Sequence, residues 1–424
     1  MLRRARRRRG AALYLTTIAV SVLIAGMGLA LIASQRADRR LQANIGLENE
    51  CWWAARSGLE IAYAYIEQVP DWRNRPSGST LFSDVAVSPG CVARVQLFDD
   101  GDNSLADNSA DIVRIRSIGT CIGSSVQLEA TIAPRPHPAL NYALFNASEE
   151  DVRFRGLTTI AGPVRSLGKI EGESFVKTTG SASFTTRTGG EINGPLNPRI
   201  FVDTDLPTPN PPLSTYLAMA TPIAGANGST CALRGYNLTP THNPLGAANP
   251  YGIYSLDPGN RDVLLQNVHI RGTLIIYNLD GRTVTINSTA WLEPGPLNYP
   301  VLMIYGSNVE LSVQPSISLL NELTTVRVTP SGGNNITVIG VDFNENGHLL
   351  DTIVSSIRGI IHAPEARVRM GNLGWTFSGC LISRRFEAED TVRIEHDPSV
   401  LSALAPGFMD TGMRLVSGSF REVP

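Results

Sequence analysis

Residues 1–33 read MLRRARRRRGAALYLTTIAVSVLIAGMGLALIA: six arginines before Gly10, then an apolar run, Ala11 to Ala33, that contains no charge. As a helix at 1.5 Å per residue this run is about 34 Å long, enough to cross a hydrocarbon core with some tilt. Basic residues gather on the cytoplasmic side of a span. The leader, residues 1–10, is therefore expected in the cytoplasm, and everything after Ala33 outside it. A cleaved secretory signal has a shorter apolar core, and here the helical pattern continues beyond the run. Leu41, Ile45, Trp52, Ala55, Leu59, Ala62 and Ile66 recur at three- and four-residue steps, with Glu48 at the one polar position. That is one apolar stripe on a helix, and Pro70 ends it. Residues 11–69 are expected to form a transmembrane and amphipathic stalk.

The rest of the chain has a different composition. At 424 residues it exceeds one typical domain. Only 17% is charged, and 39 Gly and 27 Pro point to many turns between short strands. The net charge of −2 hides an uneven spread, with the arginine leader set against a mildly acidic remainder. That asymmetry suits membrane orientation and gives no basis for a nucleic-acid partner. Five cysteines include no CxxC pair, so a structural zinc site is not expected.

The N-terminal residues carry a resemblance. The leader ending in Gly10, the run starting AAL, and ENECWWAARSGLEIAYAYI (residues 48–66) look like the minor pilins and pseudopilins of type IV pilus and type II secretion machinery. The match includes an Ala-rich segment ending in Gly58-Leu59-Glu60. The resemblance implies that a prepilin peptidase cuts between Gly10 and Ala11. It also implies that the exposed helix packs with other pilin-like subunits in a filament core or tip. Most pilins carry Glu five residues after the cut; here that position is Leu15. Its absence suits a subunit that initiates or decorates a filament rather than repeats along it, and equally suits a protein that is never processed.

Residues 71–135 form the next unit. After a turn-rich linker, Val92–Phe98, Ile112–Gly119 and Ser125–Ile132 alternate apolar and polar residues, as in a small antiparallel sheet packed on one face. The apolar stripe of the stalk is the obvious cover, which is also the pilin arrangement. If this unit lies outside the cytoplasm, Cys91 and Cys121 are the disulfide candidates; two buried thiols are the alternative. Between the first two strands, Asp99, Asp100, Asp102, Asn103, Asp107 and Asp111 offer hard oxygen ligands for a calcium ion. A solvated turn is the plainer reading of the same loop.

From residue 136 to 424 one pattern recurs: an apolar residue, any residue, Gly, then apolar residues. It appears at Ile160-Ala161-Gly162, Ile270-Arg271-Gly272, Ile357-Arg358-Gly359 and Phe377-Ser378-Gly379. Short strands punctuated by Gly suit a right-handed parallel β-helix, with a β-sandwich as the alternative. Residues 203–250, with TDLPTPNPP, read as an insertion or cap between two halves of the solenoid. IRGIIHAPEARVRMGN, GWTFSGCLISRRF and VRIEHDPSV (within 357–400) resemble the C-terminal β-solenoid of large pilus-assembly minor pilins.

Parallel β-helices also carry polysaccharide-cleaving sites, which need facing carboxylates. Asp203 with Asp205, and Glu387, Glu389 and Asp390 near Arg384 and Arg385, are the candidates, but none sits in a distinctive motif. His362 and His396 have no nucleophile motif beside them. The expectation is a mainly β protein with one long N-terminal helix, not an enzyme. It would be a minor pilin-like assembly protein of the bacterial inner membrane, single-pass, with its body periplasmic or extracellular. The lipid bilayer, pilin-like subunits and a prepilin peptidase are its expected partners. The alternative is a membrane-anchored β-helix that binds or cleaves extracellular polysaccharide.

Overall fold

A computed structural model describes residues 2–69, 71–101, 104–105, 111–172, 177–184, 187–189, 191–192, 196–198, 206–225, 228–315, 320–322, 325–328, 336–339, 342–348, 351–371, 375–402 and 405–423. The chain divides into two compact units, Met1–Ala133 with Gly412–Pro424, and Pro134–Thr411.

The first unit is one helix on one sheet. The helix α1, Leu2–Gln68, is continuous through the whole apolar run and stripe. Strands β1 (Thr80–Ser88), β2 (Cys91–Asp99), β3 (Val113–Cys121) and β4 (Ser124–Pro136) form an antiparallel meander. Near the C-terminus Arg421–Val423 pairs antiparallel with β4. Alternation decides the faces: Ala93, Val95, Leu97, Val113, Ile115, Leu128, Ala130 and Ile132 are buried. Against them lie Cys51, Ala54, Ala55, Leu59, Ala62 and Ile66 of α1. The stripe is thus buried only from Cys51 onward; Leu41 and Ile45 stay 59% and 49% exposed.

Two glycines set how close helix and sheet come. A Cβ on Gly119 would sit 2.1 Å from the Cys51 carbonyl oxygen and 2.4 Å from the Ala55 nitrogen. One on Gly58 would sit 2.3 Å from Ser117 Oγ and 2.8 Å from Ala93 Cβ. The Gly-Leu-Glu segment therefore has a packing reason: Gly58 admits the sheet and Leu59 fills its core.

The second unit is a parallel β-solenoid. Its strands form three stacks, and the chain visits them in turn. One stack runs through Thr221–Ile223, Ile253–Leu256, Thr273–Ile276 and Leu302–Ile304. It continues through the middle of Ser356–Met370 and of Thr376–Ala388, then Leu144–Asn146, Val164–Arg165, Ala182–Phe184 and Leu196–Pro198. The other two stacks follow the same order. Inward residues such as Leu144, Ile160, Leu274, Ile357, Phe377 and Phe386 fill the centre.

This order is not the order of the sequence. The chain enters the stack in the middle at Leu144 and climbs to Leu196–Pro198. It reappears at the opposite end at Thr221 and returns until Thr376–Ala388 pairs with Leu144–Asn146 and Val152–Phe154. Nine steps of about 4.8 Å separate the two ends, and the residues between 198 and 221 span that easily at about 3.3 Å each. Part of the connection, with the helix Leu213–Met219, lies over the outer side of the first stack. There Tyr216, Leu213 and Leu217 pack with Phe145, Ile275, Met303 and Ile382. Within residues 203–250, expected as an insertion or cap, Thr221–Ile223, Thr230–Arg234 and Asn237–Leu238 all pair in parallel and supply a terminal coil of the solenoid.

The repeated apolar-x-Gly pattern marks one corner of the coil. Gly162, Gly272, Gly359 and Gly379 have positive φ, and each stands just before a strand of the first stack. A Cβ on Gly379 would lie 1.8 Å from the Gly359 oxygen, and one on Gly272 2.0 Å from the Gly252 oxygen. Successive corners stack backbone on backbone, which only glycine permits. Between Val309–Pro315 and Ser356–Met370 the chain leaves the coil. That excursion carries two small antiparallel pairs, Leu320–Asn321 with Thr352–Ile353 and Thr325–Val328 with Ile336–Ile339.

Candidate functional site: the apolar helix and the charged clusters

From Leu15 to Gly46 every described side chain of α1 is exposed. Leu15, Leu23, Met27 and Leu29 are each between 62% and 70% exposed. The helix is long and apolar enough to cross a membrane. Added Cβ atoms on Gly26, Gly28 and Gly46 would meet nothing within 4 Å. Gly10 and Ala11 lie within the same unbroken helix.

Cys91 and Cys121 face each other across β2 and β3 and are joined by a disulfide, with their Cα atoms 4.3 Å apart. Cys51, Cys231 and Cys380 are buried free thiols. In the acidic loop, Asp102, Asn103 and Asp107 lie outside the described residues. Asp100 pairs with Arg114 at 2.7 Å. Asp99 Oδ1 accepts the Gly101 N–H, while Oδ2 is buried without a hydrogen-bond partner. The Asp111 carbonyl accepts from Arg73.

Two carboxylates act as charge hubs that no sequence pattern disclosed. Glu129 on β4 is almost fully buried and bonds Arg114, Arg116 and Arg421 at 2.7–2.9 Å. Burial pushes its pKa up, but hydrogen bonds from Arg116 and Arg421 outweigh that and hold it below the usual range. Glu387, equally buried in the solenoid, is paired with Arg155, Arg367 and Arg369. Burial again raises its pKa, and the hydrogen bond and charge of Arg367, with the charges of Arg385 and Arg155, more than reverse the effect. Strand register brings these residues together: Arg369 pairs with Glu387, and Glu387 with Arg153, two residues before Arg155.

The remaining candidates are dispersed. Asp203 and Asp205 lie outside the described residues. Glu389 is 3.9 Å from Arg369, and Arg384 binds Glu150 rather than the Glu387 hub. His396 shares a bond with the Leu140 carbonyl. His362 is buried and donates from Nε2 to the Pro209 carbonyl; burial pushes its pKa down to about 4. No described group of three His, Cys, Asp or Glu side chains is arranged to hold a metal.

No protein-family model matches the chain, and no curated protein does. Among solved structures, a competence-associated pilin, ComZ, from Thermus thermophilus is similar at 12% identity, with 89% of this chain and 98% of that chain covered, at a TM-score of 0.36.

Proposed function

We propose that this chain is a minor pilin-like, membrane-anchored structural and assembly protein of a type IV pilus or type II secretion filament. It would sit in the bacterial inner membrane with the arginine leader cytoplasmic. Its solenoid would be displayed for assembly or surface binding. The observation that carries the reading is the divided helix α1. Its second half is buried on a small sheet from Cys51 to Ile66, while its first half presents exposed apolar side chains and unfilled glycines. In a bilayer that half is satisfied by lipid; in a filament, Gly26 and Gly28 would let neighbouring helices approach closely. The test is co-expression with a prepilin peptidase and mass spectrometry of the mature N-terminus. A chain starting at Ala11 supports the reading, and an intact arginine leader under active peptidase refutes it.

The role is structural rather than catalytic in this reading, because Glu387 and Glu389 are engaged by arginines. The parallel solenoid is what favours the second reading, a membrane-anchored protein acting on extracellular polysaccharide. Release of reducing ends from bacterial polysaccharides would establish it. A calcium ion in the 99–111 loop stays a proposal, resting on the unpartnered Asp99 Oδ2.

A further inference from the structure

The excursion from the solenoid contains Asp342-Phe343-Asn344-Glu345-Asn346-Gly347, an oxygen-bearing side chain at every second position and glycine at the sixth. That spacing is the one by which short calcium loops gather hard oxygen ligands. Here the loop is already wound for it. Asp342 accepts the N–H groups of Asn346 and Gly347 at 3.2 and 2.7 Å. Asn344 Oδ1 accepts from Asn346 N–H, and Asn346 Oδ1 from His348 N–H. Asp351 Oδ2 receives the side-chain amides of both Asn344 and Asn346, at 2.7 and 2.5 Å. Asp351 and the two asparagines therefore converge on one point.

The independent observation is Glu322. It is 1% exposed, and its Oε1 accepts the Phe343 N–H at 2.8 Å. Its own N–H donates to the Asp351 carbonyl. Its Oε2 is buried against the loop with no hydrogen-bond partner. Among the described residues no Lys or Arg pairs with Glu322, Asp342 or Asp351, whereas Glu129 and Glu387 each gather three arginines. The like charges of Glu322 and of Asp342 and Asp351 in the adjoining loop thus have no Lys or Arg to offset them. The neighbouring loop residues are tied to the solenoid: Glu345 bonds Thr239 and Thr241 and lies 3.7 Å from Arg271, and the Asp342 carbonyl accepts from Asn237. The site is thus built on a fixed base.

We propose that residues 342–348, together with Asp351, bind a calcium ion. Asp342, Asn344, Asn346 and Asp351 supply oxygens, each asparagine Oδ1 keeping its backbone N–H and turning its second lone pair to the ion while the amide bonds to Asp351 are given up. Glu322 provides the third negative charge behind them. Oxygen-only ligands with two amides suit calcium over magnesium and place the affinity in the weak, extracellular class of about 0.1–1 mM. The ion would clamp the excursion onto the coil.

The test uses the full chain in detergent with terbium(III) as a luminescent calcium probe. Trp291, which packs with Phe343, is its sensitiser. Terbium luminescence should titrate, be displaced by calcium, and fall in Trp291→Phe. Asp351→Asn should weaken calcium at least about tenfold, while Asp99→Asn in the other acidic loop should not. If Asp351→Asn does not fold, Asn344→Ala keeps both carboxylates and carries the same expectation. Absence of calcium-displaceable luminescence overturns the proposal. So does luminescence that Asp351→Asn and Asn344→Ala leave unchanged, or that Asp99→Asn abolishes.

Discussion

Replacing Gly119 by Ala tests the contact that holds α1 on its sheet. The added Cβ would stand 2.1 Å from the Cys51 oxygen and 2.4 Å from the Ala55 nitrogen. Both are helix backbone and cannot rotate away. Normal contact is about 3.5 Å, so helix and sheet must part by more than about 1 Å, which forfeits about half or more of the attraction between facing atoms. Leu59 and Ile66 are each worth about 1.5–3 kcal/mol when buried, and Cys51, Ala54, Ala55 and Ala62 add smaller amounts. The expected loss is therefore about 2–4 kcal/mol, near the usual cost of overpacking. Gly46→Ala is the control. It sits on the same helix with nothing within 4 Å of the new Cβ, so it should stabilise by about 1 kcal/mol through helix propensity alone. Hydrogen exchange of peptides covering residues 51–66 reads the difference. Gly119→Ala should exchange about 30- to 700-fold faster where exchange follows unfolding of the unit, and Gly46→Ala no faster than the parent. If Gly119→Ala stays within about 0.5 kcal/mol of the parent, a magnitude typical of surface sites, the close approach described here is wrong.

The solenoid and its buried histidine give two more predictions. His362 is neutral when folded, with its pKa lowered to about 4 by burial, against an ordinary unfolded value of about 6.5. Protonation of the unfolded chain should therefore erode stability as pH falls from about 6.5 to 4, by about 3 kcal/mol in all, with no further loss from this group below 4. Comparing denaturation midpoints of the parent and His362→Gln across that range checks it; parallel pH curves would contradict it. Phe154 and Phe386 meet at 5.8 Å where the returning chain docks on the first coil. Phe154→Ala should cost about 3–5 kcal/mol and expose residues 144–161 and 381–395 together in hydrogen exchange. Loss confined to residues 144–198 would show that the two segments do not share that seam.

What the sequence determined by itself was whatever depends on near neighbours along the chain. The uncharged run 11–33, the three-and-four stripe ending at Ile66, and the alternation in β2, β3 and β4 each follow from a local period. So does the glycine at each corner before a strand of the first stack, since a positive φ is a property of one residue. These were enough to foresee a long helix, an antiparallel sheet and a parallel solenoid. The order of the coils was decided elsewhere. Every coil offers similar apolar residues inward, so no local signal says that Thr376–Ala388 stacks on Leu144–Asn146 rather than beginning a free end. Residues 203–250 looked like an interruption for the same reason. The hubs at Glu129 and Glu387, and Glu322 behind the Asp342 loop, are also tertiary facts. A buried carboxylate is settled by whichever cations the packing brings within about 3 Å, and their partners lie up to 292 residues away. Even α1 divides this way. Its sequence carries one stripe from Leu41 to Ile66, but only the reach of the sheet decides that burial begins at Cys51 and leaves the rest of the helix exposed.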